Sequence, residues 1–568
     1  MASGGISFAA QHTGSECGNG IGSVTASPAA GIVSCMSTFE WDLPYPSQRE
    51  PVNARNIVAT SSPIAAQAGL SILRKGGNAV DAAIATAACM TVVEPTSNGI
   101  GGDAFALVWD GSRVHGLNGS GRSPKALDAE RLLQADRYPR TGWDPITVPG
   151  CVQAWVDLSE RFGRLEFAEC IEPAVHYASE GYLVSPQTAR YWARGAGLYG
   201  RMDAWSDTFL FDGAPPKPGQ LVRLPDHATT LASIGETRGR SFYRGHLATA
   251  IAQASKAGGG VMTESDLAEH EGIWVDPISI DYRGIRLNEI PPNGQGIAAL
   301  IALGILRHFD IGSMAVDSAE VLHLQIESMK LGFADAHRHV ADPDALQASC
   351  DDLLADARLK ELAGRIDANR AQDFNSGIPK PGGTIYLSTA DEEGRCVSMI
   401  QSNYTGFGSG VVIPGTGIAM QNRGACFTLE RGHPNVVAPE KRPYHTIIPA
   451  MATPLAGGSP SDLITFGVMG GFMQPQGHLQ VLSRMQDFNQ NPQAALDAPR
   501  WQWTSGMEVK IEPGFPSDTL AGLSALGHEL KRAEERTVSF GRGQVIRRFG
   551  SGWCAGSDLR ADGQAAGF

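Results

Sequence analysis

Residues 379–410 read PKPGGTIYLSTADEEGRCVSMIQSNYTGFGSG, and they hold the clearest local pattern of the chain. A Pro/Gly-rich approach leads into alternating strand residues from Ile385, a polar turn follows at 391–394, and a second strand runs from Cys396 to Gln401. The pattern predicts a β-hairpin with Thr384 at its mouth.

Thr384 allows two interpretations. In the first, the segment is an ordinary hairpin whose first strand begins with Thr, a residue that is common in strands. In the second, the bond between Gly383 and Thr384 is broken, so that Thr384 carries a free α-amine beside its own hydroxyl. An α-amine has a pKa of about 7.7–8.0, so it can accept the hydroxyl proton near neutral pH and turn the residue into a nucleophile. Two glycines before Thr384 permit the strained backbone that an N-to-O acyl shift needs.

Composition narrows the classes of function. The chain has 568 residues, 42% of them hydrophobic, and a net charge of −13, which is typical of a globular protein with one large or two ordinary domains. The acidic balance and the lack of Lys/Arg clusters argue against nucleic acid as a partner. No run of about 18 apolar residues is present, so no membrane partner or membrane-spanning helix is expected.

The N-terminus and the cysteines carry little functional signal. Residues 1–35 are rich in Gly, Ser and Ala and lack a secretory signal, so residues 1–50 are interpreted as a disordered leader or as an extension upstream of a start at Met36. The cytoplasm is therefore the expected location. Nine scattered cysteines without a CxxC pair, and three histidines between 323 and 339 without metal-ligand spacing, lead us to expect no metal and no organic cofactor.

Local signals place the other elements. Ser62 and Pro63 begin a helix that ends near Arg74, and an Ala-rich helix from about Asn78 to Val93, small on every face, is expected to be fully buried. The glycines at 99–102 precede a strand rather than follow one, which is the reverse of a dinucleotide-binding turn. Further helices are predicted at 126–135, 151–162, 167–180, 226–234, 244–256, 264–270, 295–308, 317–338 and 351–364, and strands after Thr384 at 417–421, 463–468, 508–511 and 545–549.

Nine segments, in the same order along the chain, resemble the gamma-glutamyltransferase family of N-terminal-nucleophile hydrolases. They are ILRKGGNAVDAA (72–83), VVEPTSNGIGGDAF (92–105), VPGCVQAW (148–155), DYRG (281–284), ESMKLGFADAHRHVADP (327–343), GGTIYLSTADEEG (382–394), FGSGVVIPGTGI (407–418), APEKRPYHTIIPAM (438–451) and GVMGGFMQPQGH (467–478). The resemblance covers roughly residues 50–568.

The resemblance implies an α/β (α+β) fold of the four-layer αββα type and self-cleavage between Gly383 and Thr384. Cleavage would divide the chain into a large α subunit, residues 51–383, and a small catalytic β subunit, residues 384–568. The two fragments would stay together as a heterodimer, or as a dimer of heterodimers.

The resemblance also implies roles for four residues. Thr384 falls on the nucleophile, and Ser402 falls where the family has a second Thr that hydrogen-bonds the nucleophile. Gly470 and Gly471 fall on the glycine pair whose backbone amides bind the developing oxyanion, which matches the general need for fixed N–H donors at that place.

The substrate-binding positions depart from the family. The family's Arg that grips the glutamyl α-carboxylate falls at Ser120, although Arg122 lies two residues further on. The other departures are Tyr404 for an Asn, Arg423 and Cys426 for a Gln/Asp pair whose Asp holds the α-ammonium, and His445 and Thr446 for two serines. A desolvated ammonium needs an anion, whereas this site has gained cationic and donor groups.

These residues imply an autoprocessing N-terminal-threonine amidohydrolase or acyltransferase that acts on a small-molecule amide with a gamma-glutamyl (glutathione-type) or similar short acidic acyl group. The departures favour an acyl group without a recognised α-amino group, bound by Arg122, Arg423 and His445. Oxamate amidohydrolase or glutaryl/cephalosporin acylase specificity on the same machinery is the alternative. An inactive, uncleaved binding protein is the alternative of another class, and the intact set of Thr384, Ser402, Gly470 and Gly471 argues against it.

Overall fold

Two large sheets form the centre of the protein. The computed structural model describes residues 48–374, 377, 383–534 and 537–568, so the predicted leader lies outside the described residues except for 48–50. The strands are β1 (Val52–Ala54), β2 (Ile57–Thr60), β3 (Asp103–Trp109), β4 (Val114–Asn118), β5 (Tyr182–Leu183), β6 (Leu221–Val222), β7 (Ile273–Val275), β8 (Ile278–Tyr282), β9 (Ile285–Glu289), β10 (Gly383–Ala390), β11 (Cys396–Tyr404), β12 (Ala450–Pro454), β13 (Ile464–Met469), β14 (Trp501–Ser505), β15 (Glu508–Ile511), β16 (Glu529–Arg532), β17 (Arg542–Phe549), β18 (Gly552–Ser557) and β19 (Gln564–Gly567).

Neighbouring strands are antiparallel throughout both large sheets. The first sheet has the strand order β19-β2-β10-β11-β3-β4-β7, and the second sheet has the order β1-β18-β17-β13-β12-β9-β8. Each sheet contains strands from both sides of residue 383. The two predicted subunits therefore share both sheets.

Helices connect the strands and cover the sheets. They are α1 (Pro63–Arg74), α2 (Ala79–Val93), α3 (Ala129–Leu132), α4 (Cys151–Phe162), α5 (Phe167–Glu180), α6 (Pro186–Tyr199), α7 (Asp203–Phe209), α8 (Pro225–Thr237), α9 (Arg240–Arg244), α10 (His246–Ala257), α11 (Glu264–Ala268), α12 (Gly296–Leu306), α13 (Ala319–His339), α14 (Cys350–Leu354), α15 (Asp356–Ala363), α16 (Met473–Gln486), α17 (Pro492–Asp497) and α18 (Ser517–Ala525). Within the described part of the chain, none of these helices has both the length and the apolar character that crossing a bilayer requires.

Three buried clusters define the layers of the fold. One cluster packs α2, α4 and α5 against the first sheet, and a second packs α12, α13 and α16 against the second sheet. A third, which includes Tyr386, Ile400, Met451 and Ile546, lies between the two sheets. The order of layers is helix, sheet, sheet, helix, so the predicted α+β sandwich is confirmed.

The Ala-rich helix α2 is buried along its whole length, as its small side chains predict. Its N-cap, Asn78, accepts hydrogen bonds from the N–H groups of Val80 and Asp81. The Asp391 carboxylate accepts a further bond at 3.0 Å from the N–H of Ala79. This bond ties the start of α2 to the turn between β10 and β11.

The hairpin predicted from residues 379–410 is present as β10 and β11. The strands pair in register from Ile385–Gln401 to Ala390–Cys396, whereas Gly383 pairs with Tyr404. Thr384 lies between these two registers and has no partner in the ladder. Thr384 therefore lies at the beginning of a central strand of the first sheet, outside the regular ladder.

Some elements differ from the sequence-based expectations. The strand predicted at 417–421 is wrong, because Gly415 and Gly417 both adopt a φ of +70° and turn the chain into a tight loop with only two isolated bridges, Val412 to Ala419 and Gly101 to Met420. The helix predicted at 126–135 is confined to α3. Helices α6 and α7 were not predicted, since glycines within and after α6 weaken its helical pattern.

Gly69→Ala is expected to destabilise the fold. A Cβ at Gly69 in α1 would lie 2.3 Å from Oγ1 of Thr86 in α2, so the two helices would have to move apart. Overpacking of this kind costs about 1–3 kcal/mol. Gly197→Ala in α6 is the matched control, because its Cβ would meet no described atom within 4 Å. The higher helix propensity of alanine should then raise the free energy of unfolding by about 0.5–1 kcal/mol. Thermal unfolding midpoints should shift in opposite directions, and equal shifts would contradict the close α1–α2 contact.

Candidate active site

Thr384 is buried at the start of β10, with 1% of its surface exposed. Its Oγ1 lies 2.8 Å from the carbonyl oxygen of Gly383 and 3.1 Å from Oγ of Ser402. The hydroxyl is therefore beside the carbonyl of the peptide bond that precedes it. A hydroxyl group and the carbonyl of the adjoining peptide bond thus lie together inside the intact chain.

Ser402 lies opposite, near the end of β11, and completes this arrangement. Its hydroxyl donates to the Gly383 carbonyl at 2.7 Å and accepts from the N–H of Tyr404 at 2.8 Å. Because its own proton is directed at that carbonyl, the Ser402 oxygen can accept the hydrogen bond from the Thr384 hydroxyl. The serine thus contacts both the carbonyl and the threonine hydroxyl.

Gly470 and Gly471 join the last residue of β13 to the first turn of α16. Their φ angles, +141° and +60°, lie in the region that favours glycine. The Gly471 carbonyl accepts from Nε2 of Gln295 at 3.0 Å, and Oε1 of Gln295 accepts from the hydroxyl of Tyr444 at 3.0 Å. This support fixes a strand-to-helix turn, whose N–H groups are suited to an oxyanion.

Arg423 is completely buried close to these groups. Its Nη1 donates to Oγ1 of Thr446 at 2.8 Å, and its guanidinium carbon lies 4.8 Å from the centre of the Tyr404 ring. Nε and Nη2 of Arg423 have no hydrogen-bond partner among the described residues. A buried guanidinium with two unused donor atoms is suited to a carboxylate, which can bind it bidentately.

Asp103 and His445 form a buried pair near the Arg423 charge. Nε2 of His445 donates to Oδ2 of Asp103 at 3.0 Å, while Nδ1 accepts from the N–H of Ile447 at 3.3 Å. Burial raises the pKa of Asp103 to about 7, although the Arg423 charge opposes this shift. Burial and the same arginine lower the pKa of His445 well below its usual range, so the imidazole is neutral. Both of its ring nitrogens have partners within the protein.

Arg122 differs from Arg423 in its surroundings. Its side chain is 39% exposed and pairs with Asp342 at 3.2 Å and with Asp344 at 3.3 Å. Its Nη1 also donates to the Glu440 carbonyl at 2.7 Å. The structure thus brings together Thr384, Ser402, Tyr404, Arg423, Thr446 and the Gly470–Gly471 turn, whereas it pairs Arg122 with the buried Asp342 and the exposed Asp344.

A cavity of about 360 Å³ opens beside these residues, between Tyr404 and Phe472. Phe472 directly follows Gly471, and its ring stacks on Tyr444 with centroids 5.7 Å apart. The cavity is therefore lined by the last residue of the strand that carries Ser402 and by the residue that follows the Gly470–Gly471 turn.

Sequence reasoning missed three residues that hold the site together: Asp103, Gln295 and Arg542. Each is buried, and each bonds to a residue more than 150 positions away. Asp103 stands in a quoted motif, GGDAF, which was the one available signal for it. Nothing in the sequence around Arg542 pointed to the site.

One group of potential metal ligands occurs in the described part of the chain: His323, Glu327 and His528. Nζ of Lys330 lies 2.7 Å from Glu327, and both side chains are fully buried. The ammonium thus compensates the charge of the carboxylate inside the protein.

The chain is similar to known proteins over nearly its whole length. A family model described as Gamma-glutamyltranspeptidase matches residues 65–568. The glutathione hydrolase-like YwrD proenzyme of Bacillus subtilis (strain 168) is 35% identical, over 91% of this chain and 99% of that protein. The oxamate amidohydrolase proenzyme of Klebsiella pneumoniae subsp. pneumoniae is 33% identical, over the same shares. Among solved structures, cephalosporin acylase from Bacillus halodurans has a TM-score of 0.88 at 48% identity and covers 93% of this chain and 99% of its own.

Proposed function

Because the chain belongs to the gamma-glutamyltranspeptidase family, we propose that it cleaves itself between Gly383 and Thr384 and then uses Thr384 to hydrolyse short acidic amides. The protein is an enzyme of the hydrolase and acyltransferase type, and its relatives are proenzymes. The observation that carries the proposal is the contact of the Thr384 hydroxyl with Ser402 and with the carbonyl before it.

Self-cleavage starts from that contact. Oγ1 of Thr384 attacks the carbonyl carbon of Gly383, and its proton passes by way of Ser402 to the nitrogen of Thr384. The bond between this carbon and the nitrogen breaks, which leaves an ester and a free α-amine. Water then hydrolyses the ester, so that Gly383 ends one fragment as a carboxylate and Thr384 begins the other. We propose that residues 51–383 and 384–568 remain associated as a heterodimer.

In the mature enzyme the α-amine acts as the base. It takes the proton of Oγ1 as this atom attacks the substrate amide, and it gives a proton to the departing amine. Ser402 orients the nucleophile, and the N–H groups of Gly470 and Gly471 stabilise the oxyanion. Water attacks the acyl-enzyme in the second half of the reaction, and an amine in its place makes the enzyme a transferase.

The surroundings of Arg423 favour a substrate whose acyl group ends in a carboxylate. Its two unpartnered nitrogens would bind that carboxylate, and Tyr404 and Thr446 would hold the guanidinium in place. His445 would act indirectly by holding Asp103, since both its nitrogens have partners. Oxalyl amides, of which oxamate is the simplest, and glutaryl amides fit this requirement, and the name of the oxamate amidohydrolase relative agrees with it. Gamma-glutamyl amides are the second candidate, because the glutathione hydrolase-like relative is also similar.

A substrate panel tests the proposal. Glutaryl-p-nitroanilide and gamma-glutamyl-p-nitroanilide differ only in the α-amino group, so their kcat/KM ratio measures what that group contributes. We expect glutaryl-p-nitroanilide to be favoured by about 10-fold or more, since burying an ammonium beside Arg423 is unfavourable. Ammonia release from oxamate tests the shorter acid. A clear preference for the gamma-glutamyl substrate would contradict the assignment of Arg423 and leave the Thr384 mechanism intact.

A further inference from the structure

Arg542 is the first residue of β17 and pairs with Met469, the last residue of β13. Its side chain is buried, with 5% exposed, and Nε lies 3.1 Å from Sδ of Met469. Met469 directly precedes Gly470 and Gly471. One end of the guanidinium thus touches the strand that leads into the proposed oxyanion turn.

The other end of the guanidinium reaches the proposed nucleophile. Nη2 of Arg542 donates to the backbone carbonyl of Thr384 at 3.2 Å and to Oγ of Ser97 at 3.0 Å. Nη1 forms a 2.7 Å ion pair with Glu94, which is 2% exposed and also accepts from Oγ of Ser61. The ion pair compensates both charges in a place where an unpaired charge would be costly.

These contacts connect the two sheets at the site. Thr384 lies on β10 of the first sheet, and the Gly470–Gly471 turn follows β13 of the second sheet. Resting on the function proposed above, we infer that Arg542 is a positioning residue. It fixes the distance between the Thr384 hydroxyl and the oxyanion turn, and Glu94 holds Arg542 in that position.

The need for such a residue follows from the local pairing of Thr384. The ladder between β10 and β11 leaves Thr384 unpaired, and β10 meets β2 only from Leu387 onward. Once the bond to Gly383 is cut, Thr384 becomes a chain end. The hydrogen bond from Arg542 to its carbonyl then restrains the one residue whose position the reaction depends on most. Arginine suits this task because its planar fork reaches several acceptors at fixed angles.

The inference is tested with Arg542→Met, Arg542→Lys and Glu94→Gln, beside Arg547→Met. Arg547 lies on the same strand and bonds to the Ser461 carbonyl at 2.8 Å, away from Thr384, so it is the matched control. The measurements are the fraction cleaved by intact mass, the thermal midpoint, and kcat and KM per cleaved molecule. For Arg542→Met we expect slower cleavage and a kcat about 100-fold lower, with KM within about twofold, because misplacing a reacting group impairs the chemical step. Arg542→Lys should recover part of the lost kcat, and Glu94→Gln should have a kcat between those of Arg542→Met and wild type. Arg547→Met should match wild type in all of these measurements.

The outcomes separate this inference from the proposed function. A wild type that is never cleaved before Thr384 would overturn both. If wild type is cleaved and Arg542→Met keeps a wild-type kcat, only the positioning role is wrong. If Arg542→Met does not fold, the kcat values of Arg542→Lys and Glu94→Gln are compared with that of wild type instead. Equal kcat in all three proteins would overturn the positioning role of Arg542. A fall in the thermal midpoint with unchanged kcat per cleaved molecule would show a structural residue only.

Discussion

Thr384→Ala should remain one uncleaved chain and should have no measurable amidase activity. The substitution removes Oγ1, which is the attacking atom in both self-cleavage and substrate hydrolysis, and without cleavage the α-amine base is never formed. Intact mass under denaturing conditions should show two fragments for wild type, the smaller with Thr384 at its N-terminus, and one species for the variant. Loss of the nucleophile and of its base together should remove essentially all of the rate enhancement.

The matched control is Thr389→Ala, on the same strand. Thr389 is also buried, and its hydroxyl donates to the carbonyl of Ala79 at 2.6 Å rather than to the site. Thr389→Ala also removes a buried threonine hydroxyl, but one that lies away from the site. This variant should therefore still be cleaved before Thr384, and only its stability should fall. Cleavage of Thr384→Ala at the same bond would exclude Thr384 as the nucleophile. A wild type that stays whole would favour the uncleaved binding protein instead.

The double variant Arg423→Gln/Cys426→Asp should reverse the preference for the acyl group. The change removes the buried guanidinium and supplies a carboxylate next to it, as in the Gln/Asp pair that holds an α-ammonium in the family. Charge-assisted hydrogen bonds to a ligand contribute about 1.5–3 kcal/mol each. The ratio of kcat/KM for glutaryl- over gamma-glutamyl-p-nitroanilide should therefore fall by about 100-fold or more.

Arg122→Gln provides the comparison for this second prediction. It removes the same charge from the other candidate arginine, which pairs with Asp342 and Asp344. The substrate ratio should stay within about threefold of wild type, because these two carboxylates already engage the Arg122 guanidinium. If the ratio falls in Arg122→Gln and not in the double variant, the carboxylate binds at Arg122, and the role proposed for Arg423 is wrong.

The parts of the fold that sequence predicted are those with strong local patterns. The β10–β11 hairpin follows from alternation on both sides of a polar turn, and the burial of α2 follows from a helix without a polar face. The strand predicted at 417–421 failed because glycines can adopt positive φ as easily as they can extend, and residue identity does not decide between the two.

The parts of the site that sequence could not predict are contacts between distant residues. Arg423 was recognised as a departure from the family, but its burial and its two unpartnered nitrogens depend on Tyr404 and Thr446. The pair of Glu94 and Arg542 joins the C-terminal end of α2 to the first residue of β17. Such pairs depend on how helices and sheets pack together, and a single sequence carries no record of that packing.

Strands from either side of residue 383 share both large sheets, and this determines what the proposed cleavage would do to the molecule. Neither fragment holds either of the two large sheets complete, and the two fragments share ladders of hydrogen bonds in both of them. Hydrolysis of that one peptide bond would change the number of chains and leave these shared ladders in place. Because the fragments would be interleaved, separating them would amount to unfolding them, and the new chain end would form inside an architecture that is already complete.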